Sequence, residues 1–307
     1  MTPIPVMDWQ MMRDLALLAP HITPTTGNIY FVHATDGNTT NAGTSSEKPL
    51  STWVAAYNKC DPSHGDTVIL MPGHTETLAA VTTGITLNKI GVQTIGLGWG
   101  RCKPAITVAG VAIDGISVTA ASNRLANIRI VSAAACTALI DVTAADFVAD
   151  NLVLEHGATP LMGVTLAAGA DRAKFINCLW RGTADGPDCA IDIEAHISDL
   201  HVENCFFNYG RHGIDLGVIR ANVDAVEQGC IKNCDFVGME TVCIDFNSST
   251  AAGANVEGLL IGLNLGMGAA TAAIDDANDD DGYGTVKIVC TGLLTESASK
   301  TPLATPA

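Results

Sequence analysis

Through the middle of the chain an asparagine is followed, again and again, by an apolar residue, a variable one and a second apolar one. The copies are Asn127-Ile128-Arg129-Ile130, Asn151-Leu152-Val153-Leu154, Asn177-Cys178-Leu179-Trp180, Asn204-Cys205-Phe206-Phe207 and Asn233-Cys234-Asp235-Phe236, spaced 24, 26, 27 and 29 residues apart. A degenerate copy, Gly262-Leu263-Asn264-Leu265, puts glycine where asparagine stood. Asn and Gly enter left-handed backbone most cheaply, so their exchange predicts a bend. Two positions ahead of each bend lies a mostly apolar residue, Leu125, Ala149, Phe175, Val202, Ile231 and Leu260. Strict alternation is therefore broken once, at the asparagine, as in a strand that turns a corner.

A second series runs out of phase with the first: Ile140-Asp141-Val142, Val164-Thr165-Leu166, Ile191-Asp192-Ile193, Ile214-Asp215-Leu216, Ile244-Asp245-Phe246 and the truncated Ile274-Asp275. Short strands recurring at this period with no helical pattern between them describe the coils of a parallel β-helix, an all-β solenoid in which like residues stack on like. Asn127, Asn151, Asn177, Asn204 and Asn233 then form a ladder at one corner, and Cys178, Cys205 and Cys234 stack inside as small apolar rungs.

The flanks differ. Residues 1–26 read as an arm and linker: Met7, Met11, Leu15 and Leu18 fall on one face of a short helix that Trp9 and Met12 widen, and a Pro- and Thr-rich stretch follows. So short a helix needs a partner, either its own body or, as the linker suggests, a neighbouring subunit. Residues 27–76 read as a strand, a Gly/Asn/Ser loop, a helix from about Leu50 to Lys59 and a strand ending at Met71. Coils fill 77–291, and 292–307 form a loose tail rich in Thr, Ser, Ala and Pro.

In the 27–76 segment, Tyr30-Phe31-Val32, Gly37, Asn38, Asn41, Gly43-Thr44, Lys48-Pro49-Leu50-Ser51-Thr52-Trp53, Gly65-Asp66-Thr67-Val68 and Pro72-Gly73 follow one another in an order that resembles the amino-terminal cap of the pectate-lyase-like right-handed parallel β-helix superfamily. The resemblance implies a helix laid over the first coil and a right-handed solenoid. Lyases, glycosidases, epimerases and phage virion proteins share that fold, so it leaves activity open. The enzyme patterns of the superfamily are poorly met, Arg211-His212-Gly213 being a partial echo of one element.

Composition narrows the choice. The 32 acidic and 16 basic residues give a net charge of −16, and the basic residues are scattered singly, which argues against a nucleic-acid partner. The first twenty residues lack the form of a secretory signal, and no apolar run is long enough to span a bilayer. Ten cysteines without such a signal point to reduced thiols. Cys230 and Cys234 lack a second pair at zinc-finger spacing and no C-x-x-C occurs, and the run Asp275–Asp281 misses calcium-loop register and reads as a solvated turn; no metal or cofactor is expected.

If the chain is an enzyme, Asp192, Glu194, His212 and Asp215 are the candidate acid, base and binding groups, with His196, Arg211 and Arg220 near them in sequence and Asp141, Asp245 and Asp275 on the same face. Adjacent coils bring carboxylates about 5 Å apart and alternate coils about 9–10 Å, near the separations of retaining and inverting glycosidases. An Asp between two inward apolar residues is equally the ordinary solvent-facing residue of an amphipathic strand. The expected role is structural: a bacteriophage virion protein, such as a capsid decoration or cement protein, trimeric, bound through protein contacts to the major capsid protein or another virion protein. The alternative is a tailspike-like protein that binds or degrades polysaccharide, which needs aromatic side chains beside its carboxylates.

Overall fold

The computed structural model describes residues 27–78, 83–156, 162–182, 188–215, 226–245, 256–262, 265–267, 272–275 and 287–289. The arm residues Met7, Trp9, Met11, Met12, Leu15 and Leu18, as well as Arg220, most of the acidic run and the tail, lie outside these.

The chain is a parallel β-solenoid. One sheet has ten strands stacked in chain order from Ile29–Val32 and Thr67–Leu70, through Arg124–Ala126, Val148–Asp150 and Lys174–Ile176, to Lys287–Val289. A fourteen-stranded sheet closes the other sides of each coil. One of its wings runs through Ala105–Val108, Arg129–Ser132, Val153–His156 and Leu179–Arg181, and the other through Asp114–Val118, Ala138–Val142, Met162–Leu166 and Cys189–Ile193. The strands Phe206–Asp215 and Asp235–Asp245 are long enough to serve both wings, which joins them.

The repeat asparagines make the corner between the ten-stranded sheet and the first wing. Asn127, Asn151, Asn177, Asn204 and Asn233 all have φ between 53 and 56°, so the bend is left-handed, as their residue type requires. Their amides keep the coil-to-coil bonding going through the corner: Asn151 N donates to Ile176 O at 2.9 Å and Asn177 N to Glu203 O at 3.0 Å. Asn151 Nδ2 donates to Asn127 Oδ1 at 3.0 Å and Asn233 Nδ2 to Asn204 Oδ1 at 3.2 Å. Asn127 ends the ladder by donating to the carbonyls of Gly96 and Gly98. It is buried, whereas the other four are exposed. Left-handed backbone together with the amide-to-amide bonds of the ladder, more than burial of the amide, therefore selects Asn here.

Five residues ahead of each asparagine lies a second left-handed corner, at Ser122, Asp146, Arg172, Asp199 and Gln228, with φ between 57 and 61°. The residue after each of the first four, Asn123, Phe147, Ala173 and Leu200, is buried. Neighbouring corners pair where chemistry allows: Arg172 donates to both oxygens of Asp146 at 2.6 and 2.9 Å.

Between the sheets runs one continuous core. Leu125, Ala149, Phe175, Val202 and Ile231 stack from the ten-stranded sheet, and Ile130, Leu154, Trp180, Phe207 and Phe236 from the first wing. Trp180 and Phe207 stack at 4.5 Å, and Phe207 and Phe236 at 4.6 Å with their rings 4° from parallel. Cys178, Cys205 and Cys234 are buried thiols outside any disulfide, donating to carbonyls of their own and the preceding coil at 3.3–3.6 Å. Burial first, then the flanking cysteines, pushes the Cys205 thiol well above its ordinary value.

The predicted helix is present but starts later, at Trp53, because the Thr52 hydroxyl accepts the Ala55 amide and so caps the first turn. Trp53 is fully buried, with Nε1 on Thr94 Oγ1 at 3.1 Å. At the other end Lys89 Nζ donates to the carbonyls of Tyr57, Asn58 and Cys60, satisfying groups that a helix terminus leaves open.

Candidate functional site

The outward row of the second wing is the place where carboxylates gather. Strand register sets Asp141 beside Thr165, Thr165 beside Asp192, Asp192 beside Asp215, Asp215 beside Asp245 and Asp245 beside Asp275. In the other direction the row continues through Ser117 to Thr86. Four consecutive strands thus carry an Asp at one position, about 4.8 Å apart, and Asp141 is set off from them by a threonine.

The row is less open than alternation along the strands suggests. Asp192 is 3% exposed and Thr165 4%, and the Thr165 hydroxyl donates to Asp141 Oδ1 at 2.7 Å. Asp114, at the start of the neighbouring strand, is raised by burial and then by the charges of Asp141 and Glu194, so these carboxyls share one field. Of the other sequence candidates, Glu194 is exposed two residues past Asp192, its amide bonded to Leu166 O at 2.9 Å. His212 stands at the register position of Cys189, a buried residue, and not at that of Asp192 or Asp215. Register brings Asp192 and Asp215 together and sets His212 apart from the pair.

Chemically, adjacent carboxylates can share a proton or attract a cation. Catalysis on a sugar further needs surfaces on which a ring can lie. Along this row the register supplies Thr86, Ser117 and Thr165.

A second cluster escaped the sequence reading. Ligand atoms of Asp61, His64 and Asp66 lie within 4.8 Å of one another. Asp66 is fully buried and saturated: Oδ1 accepts from the Asn28 amide and faces His64 Nδ1, each at 2.7 Å, and Oδ2 accepts from the Asp61 amide at 2.7 Å. Burial alone would raise this carboxyl, but these bonds outweigh it and hold it below its ordinary value. A Cβ at Gly27 would sit 2.5 Å from the backbone of Gly65 and Asp66, so only glycine lets the chain enter here. The cluster is a knot that fixes the start of the first strand. The pattern Asp-x-x-His-Gly-Asp was its signal in the sequence.

Elsewhere several outward charges are paired. Glu155 accepts from Arg129 and, at 3.3 Å, from Arg181; burial alone would raise it, and the two guanidiniums hold it below its ordinary value. Arg124 reaches Asp150 at 2.7 Å and Lys232 reaches Glu203 at 3.1 Å.

No family model and no curated protein matches the chain. Among solved structures it is similar to a pectate lyase, Pel9A, with 16% identity over 87% of this chain and 78% of that one and a TM-score of 0.51. It is also similar to a rhamnogalacturonan lyase, at 12% identity over 86% and 85% and a TM-score of 0.45. A third likeness is to ORF18 of Geobacillus virus E2, at 11% identity over 78% and 57% and a TM-score of 0.35. The likeness to the pectate lyase shows a pectate-lyase-like β-helix fold. Among the described residues no helix is long and apolar enough to cross a membrane.

Proposed function

We propose that the chain is a structural component of a virion, a capsid decoration or cement protein that works through protein–protein contacts, and that its aspartate row is part of the wall of the solenoid and not a catalytic face. The observation that carries this reading is where the aromatic side chains go. Trp53, Trp180, Phe147, Phe175, Phe207 and Phe236 are buried to within 2%, and Tyr30 and Tyr57 are buried as well; of the other described rings, Phe31 and Phe206 are half-buried and Trp99 is 77% exposed, and none of the three stands in the row of Asp192. Sugar recognition would call for such rings beside Asp192, where the register places Thr165. The resemblance of the Tyr30–Gly73 segment allows a virion setting among several, and the acidic composition, the small-residue rungs and the poorly met enzyme patterns favour it; the reading includes a right-handed coil, the helix as a cap over the first coil and a homotrimeric state.

The row of Asp192, Asp215, Asp245 and Asp275 favours a second reading, a tailspike-like protein acting on polysaccharide. Electron microscopy of particles from cells that make the chain with a compact tag on its carboxyl end separates the two by position. Tag density arrayed over the shell is expected. Density confined to a tail fibre, or none on the particle, would contradict a decoration role.

A further inference from the structure

The ten-stranded sheet has an apolar row on its outward face. Tyr30, Val68 and Leu125 point into the core, so the alternate positions Phe31, Ile69, Ile95 and Ala126 point away from it. Ile69, Ile95, Ala126 and the adjoining Leu97 form a cluster separate from the core, on which the half-buried Phe31 and Met71 pack. They are 3, 1, 0 and 1% exposed respectively, so this outward face is shut off from water. The turn after Leu97, with Gly98 backed onto Pro72, borders the row at one side. The row ends abruptly: the strand after Ala126 presents Asp150 at the same position.

From these observations we infer that the amino-terminal arm of the same chain lies across this row as a helix, its Met7, Met11, Leu15 and Leu18 face on Phe31, Ile69 and Ile95. Three measures agree on it. The first is length: a helix over Met7–Leu18 is about 18 Å long, and the four strands of the apolar row span about 14–15 Å. The second is reach. Ala19–Asn28 can extend to roughly 33 Å, and the Asp66 knot fixes Asn28 at the start of the strand that carries Phe31. The third is chemistry, since the apolar stripe of the arm, broadened by Trp9 and Met12, has the area to cover such a row, and a stripe of that kind is not left wet. Attachment in the same chain also costs no second copy, because the short linker keeps the arm at high effective concentration. The inference is independent of the virion reading.

The test uses the full chain with a photoreactive leucine analogue in place of leucine, in an equal mixture of isotopically light and heavy copies. Cross-links from Leu15 or Leu18 to peptides holding Phe31, Ile69 or Ile95, within one isotopic copy, are expected. Light-to-heavy cross-links at the same peptides would overturn the inference in favour of the arm of a second copy, and cross-links elsewhere, or none, would overturn it outright. Leu15→Asp lies outside the β-helix body and should leave it folded while speeding proteolysis within residues 7–18 by at least about tenfold, since a buried leucine is given up. Equal cleavage of the two proteins would also overturn it.

Discussion

Phe207→Ala is expected to lower stability by about 3–5 kcal/mol, read as a fall in the urea midpoint at unchanged slope. Phe207 is fully buried and its ring is stacked on both sides, by Trp180 at 4.5 Å and by Phe236 at 4.6 Å. Truncation removes both stacking partners from a core whose backbone is held in place by coil-to-coil hydrogen bonds. The walls therefore have little freedom to collapse, and the cavity remains. Phe206 supplies the control. It adjoins Phe207 on the same strand, faces the other way and is half-buried, so Phe206→Ala should cost no more than about half as much. Equal losses would mean that the aromatic stack does not organise this core.

Acid is expected to weaken the protein through His156, and His156→Leu to remove that part of the loss. His156 is 2% exposed and neither ring nitrogen has a hydrogen-bond partner. Burial alone lowers its pKa to about 4. The folded protein therefore holds a neutral imidazole in a range where the unfolded chain takes up a proton, below a pH of about 6.5. Stability is complete above that value and falls as the pH drops toward about 4, by roughly 3 kcal/mol in all. Asp66, Glu155 and Glu203 are held below their ordinary values and also lose stability in acid, but they do so in both proteins. The difference between wild type and His156→Leu thus isolates the histidine. It should widen from pH 7 to pH 4.5, with the variant already about 1 kcal/mol ahead at pH 7 because two unmet polar atoms are gone. A difference that stays constant over this range would contradict the assignment.

What could be read in the sequence depended on whether a structural demand selects a chemical type. The corner at Asn127, Asn151, Asn177, Asn204 and Asn233 was legible because asparagine tolerates left-handed backbone and its side-chain amide also bonds to its neighbour along the ladder. The corner five residues earlier has the same backbone at Ser122, Asp146, Arg172, Asp199 and Gln228. There the side chains reach solvent or one another, so nothing enforces one residue type. Only the constant five-residue lead over each Asn, with a small or apolar residue following, could have revealed it.

The Asp row was legible in register, since alternation fixes which residues align across coils. The burial of Asp192 and Thr165 was not, because exposure depends on what lies over a sheet as well as on which way a residue points. His156 sits two positions after Leu154, on the inward phase of its strand, and alternation alone would have placed it inside. The Asp61–His64–Asp66 knot was missed because its logic is local: one carboxylate collects two amides and an imidazole around a tight turn.

The central claim is that no aromatic side chain of the described solenoid stands in the aspartate row of the second wing and that this row does no chemistry. It is tested most directly by incubating the purified full-length chain with a panel of acidic and neutral polysaccharides and following new reducing ends and unsaturated products. The expected result is no product above the buffer blank for wild type, Asp192→Asn or Asp215→Asn alike. Cleavage of any member of the panel by the wild type, lost in Asp192→Asn or Asp215→Asn, would contradict the claim and establish the row as an active site.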